Sequence, residues 1–235
     1  MDKKVLIIVP AYNEAKNIEG VIRNLTEKTP QYDYIIINDC SKDETEKICK
    51  ANQYSYITFS SNIGIGGGLQ AGYKYALEHN YEIAVQHDGD GQHDPEYISD
   101  VIEPILKGQY DIVIGSRFLK KQGFQSSMFR RCGIRFLSKL VYICSGAKIL
   151  DVTSGFRAVN KNYIAYYAKK YPQDYPEPEA IVSAKLNGAK ICEVPVIMRE
   201  RSQGKSSINQ FRSIYYMIKV SCAIIVCRLT RRRKL

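Results

Sequence analysis

The chain has 235 residues, 45% of them hydrophobic, which is enough to bury the core of a single domain and excludes a disordered or low-complexity protein. Its formal net charge of +10 points to an anionic partner, but the Arg and Lys residues cluster at 117–135 and from 199 onward, and no nucleic-acid module is present, so lipid phosphate or a membrane surface ranks above nucleic acid. Its seven cysteines are odd in number and form no CxxC pair, which argues against a disulfide framework or a zinc site and fits a reducing cytoplasm.

Residues 1–4 lead directly into the apolar run 5–9, which is too short for a signal-peptide core and is stopped by Pro10, an argument against secretion. The run 5–9 reads as a strand, and 15–28 as an amphipathic helix with Ile18, Val21, Ile22 and Leu25 on one face. Strands follow at 34–38, 55–59, 82–86 and 111–115, separated by helices at 43–51, 68–78 and 95–107. After Arg117 the pattern loosens into a basic loop and a helix at about 129–144, and regularity returns with a helix near 179–187 and a strand at 190–196. This alternation predicts an α/β fold, a Rossmann-like, mostly parallel sheet with helices on both faces, over residues 1–210.

Residues 211–235 read as a C-terminal amphipathic helix and basic tail. The apolar stretch 214–227 is interrupted by Lys219 and is too short to span a bilayer comfortably. Arg228, Arg231, Arg232, Arg233 and Lys234 follow, and clustered basic charge beside an apolar helix attracts anionic lipid. An interfacial helix on an anionic membrane surface is expected; docking on a small membrane-protein partner, or a packed helix with a solvated tail, are the alternatives.

The most informative motif is Gln86-His87-Asp88-Gly89-Asp90-Gly91-Gln92-His93-Asp94-Pro95. Two carboxylates one residue apart on a glycine-rich turn, directly after a strand, can hold a hard divalent cation and leave positions free for phosphate oxygens. Gln92 offers a further oxygen, and Asp94-Pro95 restarts the chain as a helix with Asp94 as N-cap. An EF-hand would need Gly at His93 and Glu at Ser99, so that reading fails. The histidines are packing groups rather than ligands, since hard cations prefer oxygen. The other strands end in Pro10-Ala11-Tyr12-Asn13-Glu14, Asn38-Asp39-Cys40-Ser41 and Gly115-Ser116-Arg117, so polar residues gather at one sheet edge, although Asn13 or Asp39 alone could be no more than a helix cap.

These segments, with Thr153-Ser154-Gly155-Phe156-Arg157, resemble in order those of family 2 glycosyltransferases with the GT-A fold, and within that family polyprenyl-phosphate sugar transferases of the dolichol-phosphate mannosyltransferase type. The resemblance implies that Pro10, Tyr12, Glu14 and Asp39 hold the nucleotide base and ribose. It implies that Asp88, Asp90 and Gln92 hold Mg²⁺ or Mn²⁺ against the diphosphate, and that Arg117, Arg131, Ser154 and Arg157 face the acceptor phosphate. The chain lacks the long carboxy-terminal membrane helices of multi-pass relatives.

In the glycine-rich stretch 62–68, Gly66 would let a backbone approach the sugar nucleotide, unless the stretch is a plain connection. Gly204-Lys205-Ser206 is no P-loop, because the glycine required earlier is Arg199. Arg199, Arg201 and Lys205 read either as a phosphate clamp or as a solvated basic loop. Glu179 reads either as a general base for a hydroxyl acceptor or as an acid stabilising the first turn of its helix.

The expected activity is an inverting, metal-dependent transfer of a sugar from a nucleotide-sugar donor, a UDP-sugar first, to a polyprenyl phosphate. The expected location is cytoplasmic, peripheral at the inner face of the cell membrane. Transfer to a glycan hydroxyl in cell-wall synthesis, with Glu179 as base, is the alternative; a nucleotidyltransferase and a non-catalytic lipid-binding adaptor rank below it.

Overall fold

A computed structural model of the chain describes residues 4–120, 128–199 and 210–232, without the side chains of residues 129, 210–214, 231 and 232. Its strands are the apolar, β-branched runs, as a sheet covered on both faces requires. They are β1 (Val5–Ala11), β2 (Asp33–Asn38), β3 (Tyr56–Thr58), β4 (Ile83–Gln86), β5 (Ile112–Ser116), β6 (Arg157–Asn160) and β7 (Ile191–Pro195), in the spatial order β3-β2-β1-β4-β6-β5-β7. Every pairing is parallel except those of β6, which runs antiparallel to both β4 and β5, with Arg157 opposite Gln86 on one side and Ile114 on the other.

The period of two along β1 sends Leu6 and Ile8 into one core and Val5, Ile7 and Val9 into the other. The second core is closed by α1 (Ile18–Lys28), α2 (Thr45–Ala51) and α4 (Ile98–Leu106). The first is closed by α3 (Gly64–Glu78), α5 (Met128–Ser145), α6 (Lys161–Lys169), α7 (Pro176–Leu186) and α8 (Gln210–Arg232). The mostly parallel sheet with helices on both faces is therefore as expected. No helix among the described residues is long and apolar enough to cross a membrane.

Three departures from the sequence reading bear on the site. Helix α3 begins at Gly64, not at residue 68, because both Asp39 carboxylate oxygens accept N–H groups at its start, from Ile63 at 2.7 Å and Gly64 at 2.9 Å. Helix α7 begins at Pro176, whose fixed φ suits a first helical position, so Glu177 and Glu179 both lie in the first turn. Strand β6 and helix α6 were not expected at all. The strand is four residues long, too short for a period to register, but α6 had a signal: Asn160 accepts from the Tyr163 N–H as an N-cap, and Tyr163, Ile164, Tyr167 and Ala168 recur at helical spacing.

Candidate active site

Because β1, β2, β4 and β5 run the same way, their carboxyl ends share one edge, and antiparallel β6 starts from that edge. Four outgoing loops and the incoming segment 151–156 thus converge outside the sheet, where open α/β sheets bind ligands.

The acidic turn is built from beneath. The Asp88 N–H donates to Nδ1 of His93 at 3.0 Å, which leaves Nε2 of the neutral ring to carry the proton, 3.6 Å from the Asp88 Oδ2. Burial pushes the His93 pKa down to about 4 and that of His87 to about 3, so both rings are neutral. His93 stacks on Phe156 with ring centroids 5.0 Å apart, which fixes the turn on the core. Gly89 is required because a Cβ would lie 2.9 Å from the Pro10 carbonyl oxygen. The Asp90 Oδ1 accepts the Gln92 N–H at 3.0 Å, and Asp94 caps a 3-10 turn, Pro95–Tyr97, as expected.

The Asp88 carboxylate lies over Gly155, where a Cβ would stand 2.7 Å from Oδ2. Its side-chain donor from Gln86 is distant, at 3.4 Å, and burial raises its pKa above the ordinary carboxylate value. A carboxylate whose side chain is 34% exposed and whose hydrogen-bond donor is distant, next to a second carboxylate on the same turn, suits a hard divalent cation. Among the described residues no group of three or more His, Cys, Asp or Glu side chains is arranged as a metal site, so Asp88 and Asp90 can furnish only part of a coordination shell. The Gln92 amide nitrogen donates to the Arg199 carbonyl at 3.4 Å.

The residues expected at the nucleotide fall into two groups. Tyr12 is exposed at the end of β1. The others are engaged by the fold: Glu14 is buried and accepts from the Asn17 amide at 2.7 Å, Pro10 receives the Gly89 N–H at 3.3 Å, and Asp39 caps α3. Gly66 is buried, its N–H donates to the Gln173 carbonyl at 3.1 Å, and a Cβ would stand 2.1 Å from the Pro172 oxygen, a close approach to the protein's own backbone.

Of the expected acceptor residues, Arg117 is buried and its fork is gripped by Asp151, Nε to Oδ2 at 2.7 Å and Nη2 to Oδ1 at 2.6 Å. Asp151 is in turn placed by Glu193, which accepts the N–H groups of Leu150 and Asp151 at 2.8 Å each. Neither Asp151 nor Glu193 was expected from sequence. Arg131 is half-buried on α5, and Arg130 is exposed on the same helix, its pKa lowered by desolvation and by the Arg117 charge. Ser154 and Arg157 are both buried. The Ser154 hydroxyl donates to the Gly115 carbonyl at 2.6 Å, and Arg157, 0% exposed, donates to the carbonyls of Ser154 at 2.5 Å and Glu177 at 3.3 Å, beneath Tyr73, Tyr167 and Tyr171. They form the floor of the site.

Glu177 and Glu179 point to different surroundings, as residues two apart on a helix must. Burial raises the Glu177 pKa against the opposing pull of Arg157, with Asp88 near enough to add to the rise; burial also raises that of Glu179, whose charged neighbour is Lys170. Of the two, Glu177 is the one whose backbone carbonyl is held by Arg157 and whose charged neighbours include Asp88. Arg199 bonds Asp94 at 2.5 Å through its side chain, and Arg201 and Lys205 lie outside the described residues.

Residues 6–167 match the family described as glycosyl transferase family 2. A UDP-N-acetylglucosamine–dolichyl-phosphate N-acetylglucosaminyltransferase of Methanococcus voltae is 35% identical over 216 residues, 83% of this chain and 85% of the relative. An undecaprenyl-phosphate mannosyltransferase of Micrococcus luteus is 28% identical, with 88% of each chain covered. Among solved structures, glucosyl-3-phosphoglycerate synthase of Mycobacterium tuberculosis with Mn²⁺, UDP-glucose and glycerol 3-phosphate superposes with a TM-score of 0.66 at 17% identity, covering 96% of this chain and 80% of that one. At that identity the likeness is one of fold, and the fold is the GT-A architecture expected from the motifs.

Proposed function

The chain belongs to glycosyl transferase family 2 and is a glycosyltransferase; on that premise we propose that it moves a sugar, with inversion, from a nucleotide-sugar to a polyprenyl phosphate. The observation that carries this reading is that the Asp88 carboxylate lies over Gly155, on the same short segment whose Asp151 and Thr153 hold the buried Arg117 guanidinium. One site thus offers carboxylates for a cation and a guanidinium group for a phosphate.

Asp88, Asp90 and Gln92 would hold Mg²⁺ or Mn²⁺. When bound, such an ion acts as a Lewis acid for the charge that grows on the departing nucleoside diphosphate. Tyr12, exposed just after β1, would cover the base, and the Methanococcus voltae relative, named for UDP-N-acetylglucosamine, supports a UDP-sugar as the donor. Arg117 is locked in one geometry by Asp151, so it can draw an anionic acceptor to a defined position without reordering. A phosphate monoester, with a second pKa near about 6, is already anionic at neutral pH and needs no general base. That agrees with a Glu179 whose charged neighbour is Lys170. Work at the inner membrane face, with 211–235 as the attachment, completes the proposal.

Incubating the purified protein with Mn²⁺, a panel of nucleotide sugars and polyprenyl phosphate, and weighing the lipid product by mass spectrometry, tests it. A lipid mass increased by one phosphate-linked sugar is expected. A glycan product, or release of pyrophosphate as a nucleotidyltransferase requires, would overturn it. One observation favours the hydroxyl-acceptor alternative: Glu177, not Glu179, is a carboxylate within the electrostatic reach of Asp88.

A further inference from the structure

Helices α5 and α8 leave an apolar face that the site does not explain. On α5 the exposed positions include Met128, Phe136, Tyr142 and Ile143, with Arg135 and Lys139 among them. They recur at helical spacing and share one arc, opposite the buried Ile134, Leu137, Val141 and Cys144. Ile143 is 76% exposed and Met128 73%, on a helix whose other side is fully used by the core. On α8, Tyr215, Ile218, Ile225, Val226 and Leu229 share an exposed arc opposite the buried Val220 and Ile224. The helices lie side by side on α7, close enough that a Cβ on Gly133 of α5 would stand 3.2 Å from the Met217 sulfur of α8.

Charge decides what covers this face. Neither helix contains an Asp or Glu, while α5 carries Arg130, Arg131, Arg135 and Lys139, and α8 carries Arg212, Arg228 and its basic end, with Lys219 paired to Asp174 at 2.7 Å. Apolar side chains interleaved with cations and no acids match the acyl and headgroup zones of an anionic bilayer. Position agrees: Tyr216 of α8 packs edge-on against Tyr175, the residue before α7, with centroids 4.6 Å apart, so α8 lies against the start of the helix that carries Glu177.

We propose that α5 and α8 together form a docking face for an anionic lipid surface, with α5 an anchoring element in its own right and not only a wall of the site. The proposal rests on the polyprenyl-phosphate reading and adds the membrane-binding residues to it. The full chain is sedimented with phosphatidylcholine vesicles with and without phosphatidylglycerol, in the absence of substrates. Binding is expected to require phosphatidylglycerol and to weaken with salt. The double variant Phe136→Glu/Ile143→Glu is expected to bind about tenfold more weakly or worse while keeping its circular dichroism and Tm, since both side chains already face water. Unchanged binding by the variant, no binding by the parent protein, or a parent dimer that the variant dissociates, which would assign the face to a second copy, each overturns the proposal. Transfer to a short-chain, water-soluble polyprenyl phosphate is measured alongside. If neither protein transfers while only the variant loses vesicles, the acceptor reading has failed and the docking face stands.

Discussion

Asp151 illustrates what a single residue carries in this site. Its carboxylate is fully buried and paired in two places with Arg117, so removing it strands a buried guanidinium. Asp151→Ala should lower unfolding stability by about 3–5 kcal/mol in urea titration, and transfer activity should fall with it. An unchanged urea midpoint would show that Arg117 does not depend on this partner. Glu177 and Glu179 offer a second test: with a phosphate acceptor, Glu177→Gln and Glu179→Gln should each retain most of kcat, whereas a hydroxyl acceptor predicts near-complete loss for Glu177→Gln alone. The carboxylate pair at Asp88 and Asp90 was legible because strand, turn and cap lie together in the chain. Asp151 and Glu193 were not, since the first acts on a residue 34 positions away and the second on backbone 42 positions away. Burial, which no motif reports, was likewise not legible for Arg157 and Ser154.

Among the elements, the acidic turn is held in place by two others, α1 and the segment that follows β7. Asp94 accepts from Lys28 of α1 at 3.2 Å and from Arg199, beyond β7, at 2.5 Å, while the Arg199 N–H donates to the Gln92 carbonyl at 2.9 Å. Burial alone would raise the Asp94 pKa, but the Glu96 N–H, Lys28 and Arg199 together bring it below its ordinary 3.8. The folded chain therefore takes up this proton less readily than the unfolded one, and the tether's stabilisation is present above that value and lost as the pH falls through the depressed one. Asp94→Asn should accordingly lower the urea midpoint at neutral pH, with the gap to the parent narrowing in acid; a gap independent of pH would contradict the tether. Gly155→Ala should displace the Asp88 carboxylate and reduce transfer by at least about tenfold with little change in fold, because the added methyl occupies the carboxylate's place. The βα units were legible from their periods. Strand β6 was not, because a four-residue antiparallel insertion between β4 and β5 is fixed by tertiary pairing alone.

Across the whole molecule, net charge and topology act together. The sheet sends its polar loops to one edge, while the basic, acid-free helices α5 and α8 pack side by side on α7. The excess positive charge was visible in the sequence, but its grouping with exposed apolar side chains required the packing of both helices on α7. A cation at Asp88 and Asp90 and a phosphate drawn by Arg117 make one demand of the chemistry. The most direct measurement follows both products at once, nucleoside diphosphate in the aqueous phase and labelled sugar in the lipid phase. Equal amounts of the two are predicted, abolished by chelator, restored by Mn²⁺ and absent in Asp90→Asn. Full turnover in chelator, or labelled sugar confined to the aqueous phase, would contradict it.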